Sequence, residues 1–255
     1  MIDTHTHLYS EAFNEDRTEM IQRAKDKGVT HFFLPAINSE YHQNMLDLEA
    51  QYPNEIFAMM GLHPTYIKPE TYQEEMAMVK NFLQQRFFCA IGEIGIDLYW
   101  DKSHLDLQQQ CFREQIDWAI ELDRPIVIHS RDSFDETFEV LEEKKHSRLR
   151  GIFHCFTGTL EHAKHAIDLN FALGIGGVVT FKNGKIDQFL NEIPLEHIVL
   201  ETDAPYLAPV PFRSKRNESS YLEYVAGKLV DIYQLPYETI NQITTQNAKS
   251  IFGIS

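Results

Sequence analysis

The chain has 255 residues, a formal net charge of -15, and 43% hydrophobic residues. This length is enough for one large α/β barrel or two modest domains with a substantial core, and the composition excludes a disordered chain. The acidic balance argues against a non-specific duplex binder with a basic surface, so a polyanionic substrate would have to meet a local cationic patch or a metal ion.

Cysteine usage indicates the redox compartment. Cys89, Cys111 and Cys155 are widely separated and form no CxxC pair. We therefore expect a reduced, cytoplasmic protein. Met1 leads directly into an apolar run that carries charge and histidine, so we expect neither a secretory signal nor a membrane span.

Apolar, β-branched runs alternate with amphipathic stretches along the whole chain. The predicted strands are 1–8, 30–36, 56–62, 89–96, 125–130, 151–156, 171–177 and 198–203. The predicted helices are 16–27, 41–51, 72–84, 105–122, 133–144, 160–169, 185–190, 221–233 and 237–252. Strict alternation predicts a parallel sheet.

Eight strand-helix units in about 250 residues predict a single (β/α)₈ TIM barrel domain over 1–255. An open doubly wound sheet is the alternative. The first strand, however, is followed by Leu8-Tyr9-Ser10 and not by a glycine-rich dinucleotide turn.

Two histidines, His5 and His7, stand two residues apart in the first predicted strand. Alternate side chains of a strand share one face and lie about 6.6 Å apart along it, so this pair could bind one metal ion. The alternative is a polar strand end with two solvated imidazoles.

Other side chains that can bind metal occur near the carboxyl ends of the strands that follow. They are His63, Glu93, His129, His154 and Asp203. In barrels the carboxyl ends of the strands meet at one mouth, so these side chains are expected to converge. The seven remaining histidines fall at a strand start or outside strands, and we expect them to be solvated at the surface. They are His31, His42, His104, His146, His162, His165 and His197.

The ligand set predicts a centre with two divalent ions, either zinc, magnesium or manganese. We expect His5, His7 and Asp203 to bind one ion and His129 and His154 to bind the other. Glu93 would bridge the pair, which in such sites lies about 3.5–4 Å apart.

Asp3 and Glu201 each precede a predicted ligand by two residues, so they share its face one layer deeper in the barrel. They could orient ligand imidazoles through the nitrogen that does not touch metal. Alternatively, they could form a buried pair with a basic residue.

Six stretches occur in the order and with the spacing of one known family. They read DTHTH at 3–7, GLHP at 61–64, GEIGID at 92–97, HSRD at 129–132, HCFTG at 154–158 and ETDAPYL at 201–207. Together they resemble the TatD-type metal-dependent deoxyribonucleases of the amidohydrolase superfamily. The resemblance implies a metal-bearing barrel, DNase activity that often proceeds 3′ to 5′, ligation by the six residues assigned above, and His63 at the substrate edge.

The loop after the last predicted strand resembles that of the family, with two departures. Ser214 stands where the family usually has Gly, and Ser219 where it usually has Pro. Neither removes a ligand or a cation. The candidate phosphate-binding cations are Arg131, Arg213, Lys215 and Arg216. Guanidinium groups hold phosphate oxygens in a fork, whereas the alternative is a solvated basic run.

Tyr99 and Trp100 follow the fourth predicted strand. They could stack on an unpaired base, as aromatic rings do in single-strand binders, or form a hydrophobic lid on a neighbouring loop.

These patterns predict a metal-dependent hydrolase of DNA phosphodiesters, a 3′-5′ exodeoxyribonuclease for a single strand or a 3′ end. Glu93 and Asp203 would be catalytic, with Asp203 accepting a proton from water. One alternative is a small-molecule amidohydrolase, or a phosphoester or lactone hydrolase, on the same scaffold. Amidohydrolases often carry a carboxylated lysine on strand four, where this chain has Glu93. Another is a metal-bearing binding protein without turnover.

Overall fold

Eight parallel strands and eight α-helices make up the computed structural model, which describes residues 1–254. The strands are β1 (Ile2–Asp3), β2 (His31–Leu34), β3 (Ile56–Ala58), β4 (Ile91–Asp97), β5 (Ile126–Arg131), β6 (Gly151–Phe153), β7 (Phe171–Ile175) and β8 (Ile198–Leu200). The helices are α1 (Arg17–Asp26), α2 (Ser39–Gln51), α3 (Tyr72–Gln85), α4 (Leu105–Leu122), α5 (Phe134–Glu143), α6 (Leu160–Asp168), α7 (Leu222–Tyr233) and α8 (Tyr237–Phe252). None of these helices is long and apolar enough to cross a membrane.

The strands neighbour one another in chain order, β1 to β3 in one sheet and β4 to β8 in the next. A parallel bridge between Met60 and Ile91 joins β3 to β4. At the other seam the amide of Thr4 donates to the carbonyl of Leu200 at 3.0 Å, which joins β1 to β8. The predicted (β/α)₈ barrel is confirmed.

Several strands are shorter than the apolar runs that predicted them. β1 ends at Asp3, so His5 and His7 lie on the segment after it. There the backbone leaves its strand register, because the amide of Thr6 donates to Phe33 and that of His7 to Ala204. The predicted metal ligands therefore lie on loops as well as on strands.

The predicted helix at 185–190 is wrong. Two short 3₁₀ turns, Ile186–Gln188 and Leu190–Glu192, occupy that segment. Lys185 before them is left-handed, with φ 60°, and Pro194 follows shortly after. Phe189 between the two turns has φ -130° and ψ -7°, so the backbone leaves the helical region there and no continuous α-helix forms.

The helices bury one stripe each against the barrel. In α4 the stripe includes Phe112, Ile116 and Ala119, at the three- and four-residue spacing of one helix face.

Gly95 of β4 has φ 139°, and a Cβ there would lie 2.0 Å from the carbonyl oxygen of His129. Glycine is required here because it lets β5 approach closely and bring His129 to the mouth.

His42 is not a surface histidine, and that prediction was wrong. It lies on α2 with 4% of its surface exposed, and its ring meets the Phe82 ring edge-on at 5.3 Å. His42, Met45 and Leu48 form the buried stripe of α2, so the residue follows helical periodicity and not its polarity. The other six histidines expected at the surface are at least partly exposed.

Candidate metal centre

The centre is built around Glu93, whose side chain is almost completely buried. The register between β4 and β5 shifts between Gly92 and Ile94, which leaves Glu93 as the extra residue of a bulge. Bulges re-aim a side chain at the rim of a barrel. Here the bulge directs the carboxylate among imidazoles that come from four other strand ends.

One oxygen of Glu93 faces the first predicted set of ligands. Oε2 lies 3.1 Å from Nε2 of His5 and 4.0 Å from Nε2 of His7. The Oδ1 of Asp203 completes this side, 3.3 Å from Nε2 of His7 and 3.8 Å from Nε2 of His5.

The other oxygen of Glu93 faces the second set. Oε1 lies 2.9 Å from Nδ1 of His129 and 3.4 Å from Nε2 of His154. It also lies 3.3 Å from Nε2 of His63, which therefore contacts the centre directly. One carboxylate thus separates two groups of nitrogen donors, the arrangement that a bridging ligand requires.

Metal-binding geometry is available at three overlapping points. The groups are His5, His154 and Asp203; His5, His7 and Glu93; and His63, Glu93 and His129, each with donor atoms within 4.8 Å of one another. His5 is fully buried, yet among residues 1–254 neither ring nitrogen forms a well-aligned hydrogen bond, although Oε2 of Glu93 lies 3.1 Å from Nε2. Such nitrogens are costly to leave unpaired, so these residues fit a bound divalent cation.

Charge within the cluster matches this fit. Burial alone would raise the pKa of Glu93, but the neighbouring His5, His154 and His63 hold it well below its usual range. Burial likewise opposes ionisation of Asp203, and the neighbouring His7 and His154 lower its pKa nonetheless. Both carboxylates are therefore ionised and suited to a cation.

The comparisons with known proteins bear on this centre. The sequence model of the family "TatD related DNase" matches residues 2–253. The chain belongs to the TatD-related DNase family. It is 39% identical over 256 residues to the uncharacterized metal-dependent hydrolase YabD of Bacillus subtilis, which it covers completely. These matches identify a metal-dependent hydrolase.

Two further TatD relatives extend the comparison. The 3′-5′ ssDNA/RNA exonuclease TatD of Erwinia billingiae is 30% identical, with 100% of this chain and 99% of that protein covered. The crystal structure of YjjV, a TatD homologue from Escherichia coli K12, superposes with a TM-score of 0.93 at 29% identity. The match covers 100% of this chain and 98% of the YjjV chain.

The two deeper carboxylates of this TatD-family chain behave differently. Glu201 accepts from Nδ1 of His154 at 3.0 Å, so it orients an imidazole. Asp3 instead accepts from the amide and hydroxyl of Thr202 and from the hydroxyl of Ser219. Among residues 1–254, Asp3 contacts neither an imidazole nor a basic side chain, so both roles expected of it are wrong. It fixes the chain after β8.

Sequence reasoning missed two residues that orient ligand imidazoles. Oδ2 of Asp97 lies 2.8 Å from Nε2 of His129. The hydroxyl of Tyr9 lies 2.8 Å from Nδ1 of His7 and donates to the carbonyl of Pro35 at 2.6 Å. A signal for Asp97 was present, because it ends an apolar strand and shares a face with Glu93, four residues earlier. Tyr9 offered no such signal.

Two predicted cations stack on aromatic rings near the mouth. The guanidinium of Arg131 lies 3.8 Å from the centre of the Tyr99 ring, and that of Arg213 lies 3.5 Å from the Phe181 ring. Tyr99 and Trp100 are 53% and 70% exposed, so they do not form a closed hydrophobic lid.

The other two predicted cations are placed differently. Arg216 donates two hydrogen bonds of 2.7 Å to the carboxylate of Asp16 and lies 3.9 Å from Glu218. Its fork is already occupied, and its assignment to substrate phosphate is corrected on this ground. Lys215 lies 5.8 Å from the Phe212 ring. It sits on the same loop beyond the mouth.

Proposed function

We propose that this TatD-family hydrolase removes nucleotides from the 3′ end of single-stranded DNA by hydrolysing phosphodiester bonds with two divalent ions. The observation that supports it most strongly is the position of Glu93, whose two oxygens face separate sets of imidazoles. The exposed Tyr99 and the stacked Arg131 at the mouth add surfaces suited to a base and a phosphate.

The ligands proposed for one ion are His5, His7 and Asp203, and those for the other are His129 and His154, with Glu93 shared. Zinc, magnesium and manganese each suit part of this donor set. When bound, such ions supply Lewis acidity that activates water and offsets charge on the phosphate.

Hydrogen-bond partners outside the centre determine which ring nitrogen of each histidine carries the proton. Glu201 accepts the Nδ1 proton of His154, and the hydroxyl of Tyr9 accepts that of His7, so each ring presents a bare Nε2 to the centre. Asp97 accepts the Nε2 proton of His129, so in the neutral ring Nδ1 is the nitrogen available to a metal ion. These three rings are therefore prepared as metal ligands.

His63 has the opposite tautomer. The amide of Thr65 donates to its Nδ1 at 3.2 Å, so the proton of the neutral ring lies on Nε2. That N–H points toward Oε1 of Glu93, inside the centre. His63 is thus a donor suited to a phosphate oxygen or to the leaving oxygen, and not a ligand.

Asp203 is the proposed proton acceptor. Its side chain is 14% exposed, whereas that of Glu93 is 3% exposed, so Asp203 is the ligand carboxylate that entering water reaches. Its lowered pKa keeps it ionised near neutral pH. A carboxylate within hydrogen-bond reach of the attacking water can take its proton.

The test uses metal-stripped protein and a single-stranded DNA labelled near its 3′ end, with magnesium, manganese or zinc added back. We expect stepwise loss of 3′ nucleotides, and a loss of activity of at least about 100-fold in Asp203→Asn. Asp187→Asn is the matched control, because within residues 1–254 Asp187 forms a salt bridge only with the surface Lys228. Absence of cleavage with all three ions, or undiminished cleavage by a folded Asp203→Asn protein, would overturn the proposal. The cytoplasmic location stays a prediction that cell fractionation would test.

A further inference from the structure

A cavity of about 950 Å³ lies among the loops after β4, β5, β6 and β7, and we call it the side cleft. These loops are at the carboxyl ends of the strands, the same end of the barrel as the metal centre. Two residues of its lining, Arg131 and Thr157, follow the ligands His129 by two residues and His154 by three. Phe181 and Lys185 form part of its far side. Pockets for small ligands measure about 300–1,000 Å³, so the side cleft is large for a single small ester.

Two arginine-aromatic stacks border the side cleft. Arg131 and the Tyr99 ring both line it, and Arg213 lies over Phe181, which also lines it. Among residues 1–254 neither arginine has a carboxylate within 4.0 Å, unlike Arg216. A guanidinium stacked by its face keeps its in-plane N–H groups available for oxygen ligands. One N–H of Arg213 donates to the carbonyl of Ala208 at 3.5 Å, and its others remain for phosphate.

The side cleft also has an acidic side, formed by Asp132, Asp135 and Glu136. A duplex has two phosphate backbones, and one of them would meet these carboxylates. A single strand can place its phosphates near the arginines and Lys185 and turn its bases toward the rings and carboxylates. The charge pattern therefore favours an unpaired strand.

We propose that the side cleft binds the nucleotides directly 5′ of the scissile phosphate, with bases stacked on Tyr99 and Phe181 and phosphates held by Arg131 and Arg213. This inference rests on the proposed nuclease function and adds a binding site to it. It predicts that the enzyme gains affinity for each nucleotide that fills the cleft, and that substrates without such nucleotides gain none.

The test compares a phosphodiester without nucleotides, bis(p-nitrophenyl) phosphate, with single-stranded oligonucleotides of two to eight residues. We expect kcat/KM of the metal-loaded wild-type protein to rise with length until the cleft is filled. Stacking on an aromatic ring strengthens the binding of each base, so Phe181→Leu and Tyr99→Leu should each lower kcat/KM for long oligonucleotides about tenfold. The loss in kcat/KM for the small diester should be smaller than the loss for long oligonucleotides in both variants.

Phe87→Leu is the matched control. Arg124 lies 4.3 Å from the Phe87 ring in a similar stack, but both residues precede their strands and lie at the opposite end of the barrel. Phe87→Leu should leave both substrates unaffected. Tyr99→Leu keeps the test valid if Phe181→Leu fails to fold, because Tyr99 is exposed.

The outcomes separate the two proposals. Two results would contradict nucleotide binding in the side cleft but not the phosphodiesterase function. One is hydrolysis of the small diester without any gain in kcat/KM from chain length. The other is wild-type activity of both leucine variants on long oligonucleotides. Failure to hydrolyse either substrate with any ion would overturn the proposed function and the cleft together.

Discussion

The hydrogen bond between Asp97 and His129 predicts that Asp97→Asn weakens metal binding. The carboxylate joins two features, because Oδ2 accepts from Nε2 of His129 at 2.8 Å and Oδ1 accepts from the amides of Tyr99 and Trp100 at 3.0 and 3.1 Å. Asparagine retains one acceptor oxygen for the two amides but presents an NH₂ group to the imidazole. His129 then has to accept at Nε2, and its proton moves to Nδ1.

The proton on Nδ1 would occupy the position that faces Oε1 of Glu93 and the proposed ion. Loss of such an orienting partner typically costs 10- to 100-fold in metal affinity or activity, about 1.4–2.8 kcal/mol. Burial alone would lower the pKa of His129, and its contacts with the Asp97 and Glu93 carboxylates raise it. The expected effect is thus weaker metal binding in a folded barrel.

The assay is a competition titration of metal-stripped protein against a chromophoric chelator, with circular dichroism to verify the fold. Asp101→Asn is the control, since Asp101 is in the same loop. Within the described part of the chain it accepts hydrogen bonds only from Ser103, and it lies 3.8 Å from His104. We expect an affinity loss of at least about tenfold for Asp97→Asn and less than about twofold for the control. Equal affinities of Asp97→Asn and wild type would refute the tautomer argument.

Two further predictions concern residues whose contacts the structure revealed. Tyr9→Phe should weaken metal binding about tenfold and lower the free energy of unfolding by about 2 kcal/mol, because His7 and Pro35 lose their hydroxyl partner. Chelator competition measures the first effect and urea unfolding the second. Arg216→Ala should leave kcat/KM on DNA within about twofold but lower stability by about 1 kcal/mol. Arg216 lowers the pKa of Asp16 in the folded state. The stability difference between wild type and Arg216→Ala should therefore be largest at neutral pH and should shrink as the pH falls below about 4. Urea unfolding at several pH values measures it, and a difference that does not change with pH would contradict this prediction.

The barrel and its ligand types were predictable because both depend on local pattern. Eight apolar runs in alternation with amphipathic stretches determine the topology, and a polar residue that ends an apolar run, such as His129, marks the mouth. His42 shows the limit of reasoning from residue type, because helical phase and not polarity decided its burial. The length of β1 was overestimated because hydrogen bonds to distant segments bend the chain after Asp3.

Pairings between distant segments were out of reach for the sequence alone. Arg216 and Asp16 are 200 positions apart, so nothing in the basic run showed that its fork is occupied. Asp97 reaches His129 only through the register of β4 and β5. Residues that orient ligands from a second strand or loop become visible only when side-chain contacts are known.

The central claim is that Glu93 joins two divalent ions into one hydrolytic centre. The most direct measurement is a titration of metal-stripped protein with Mn²⁺, in which bound ions per chain and the rate of 3′-nucleotide release from single-stranded DNA are followed together. We expect little activity with one equivalent bound and full activity after the second, and we expect Glu93→Gln to lose both the second ion and the activity. Full activity with one ion per chain, or two bound ions without any phosphodiester cleavage, would contradict it.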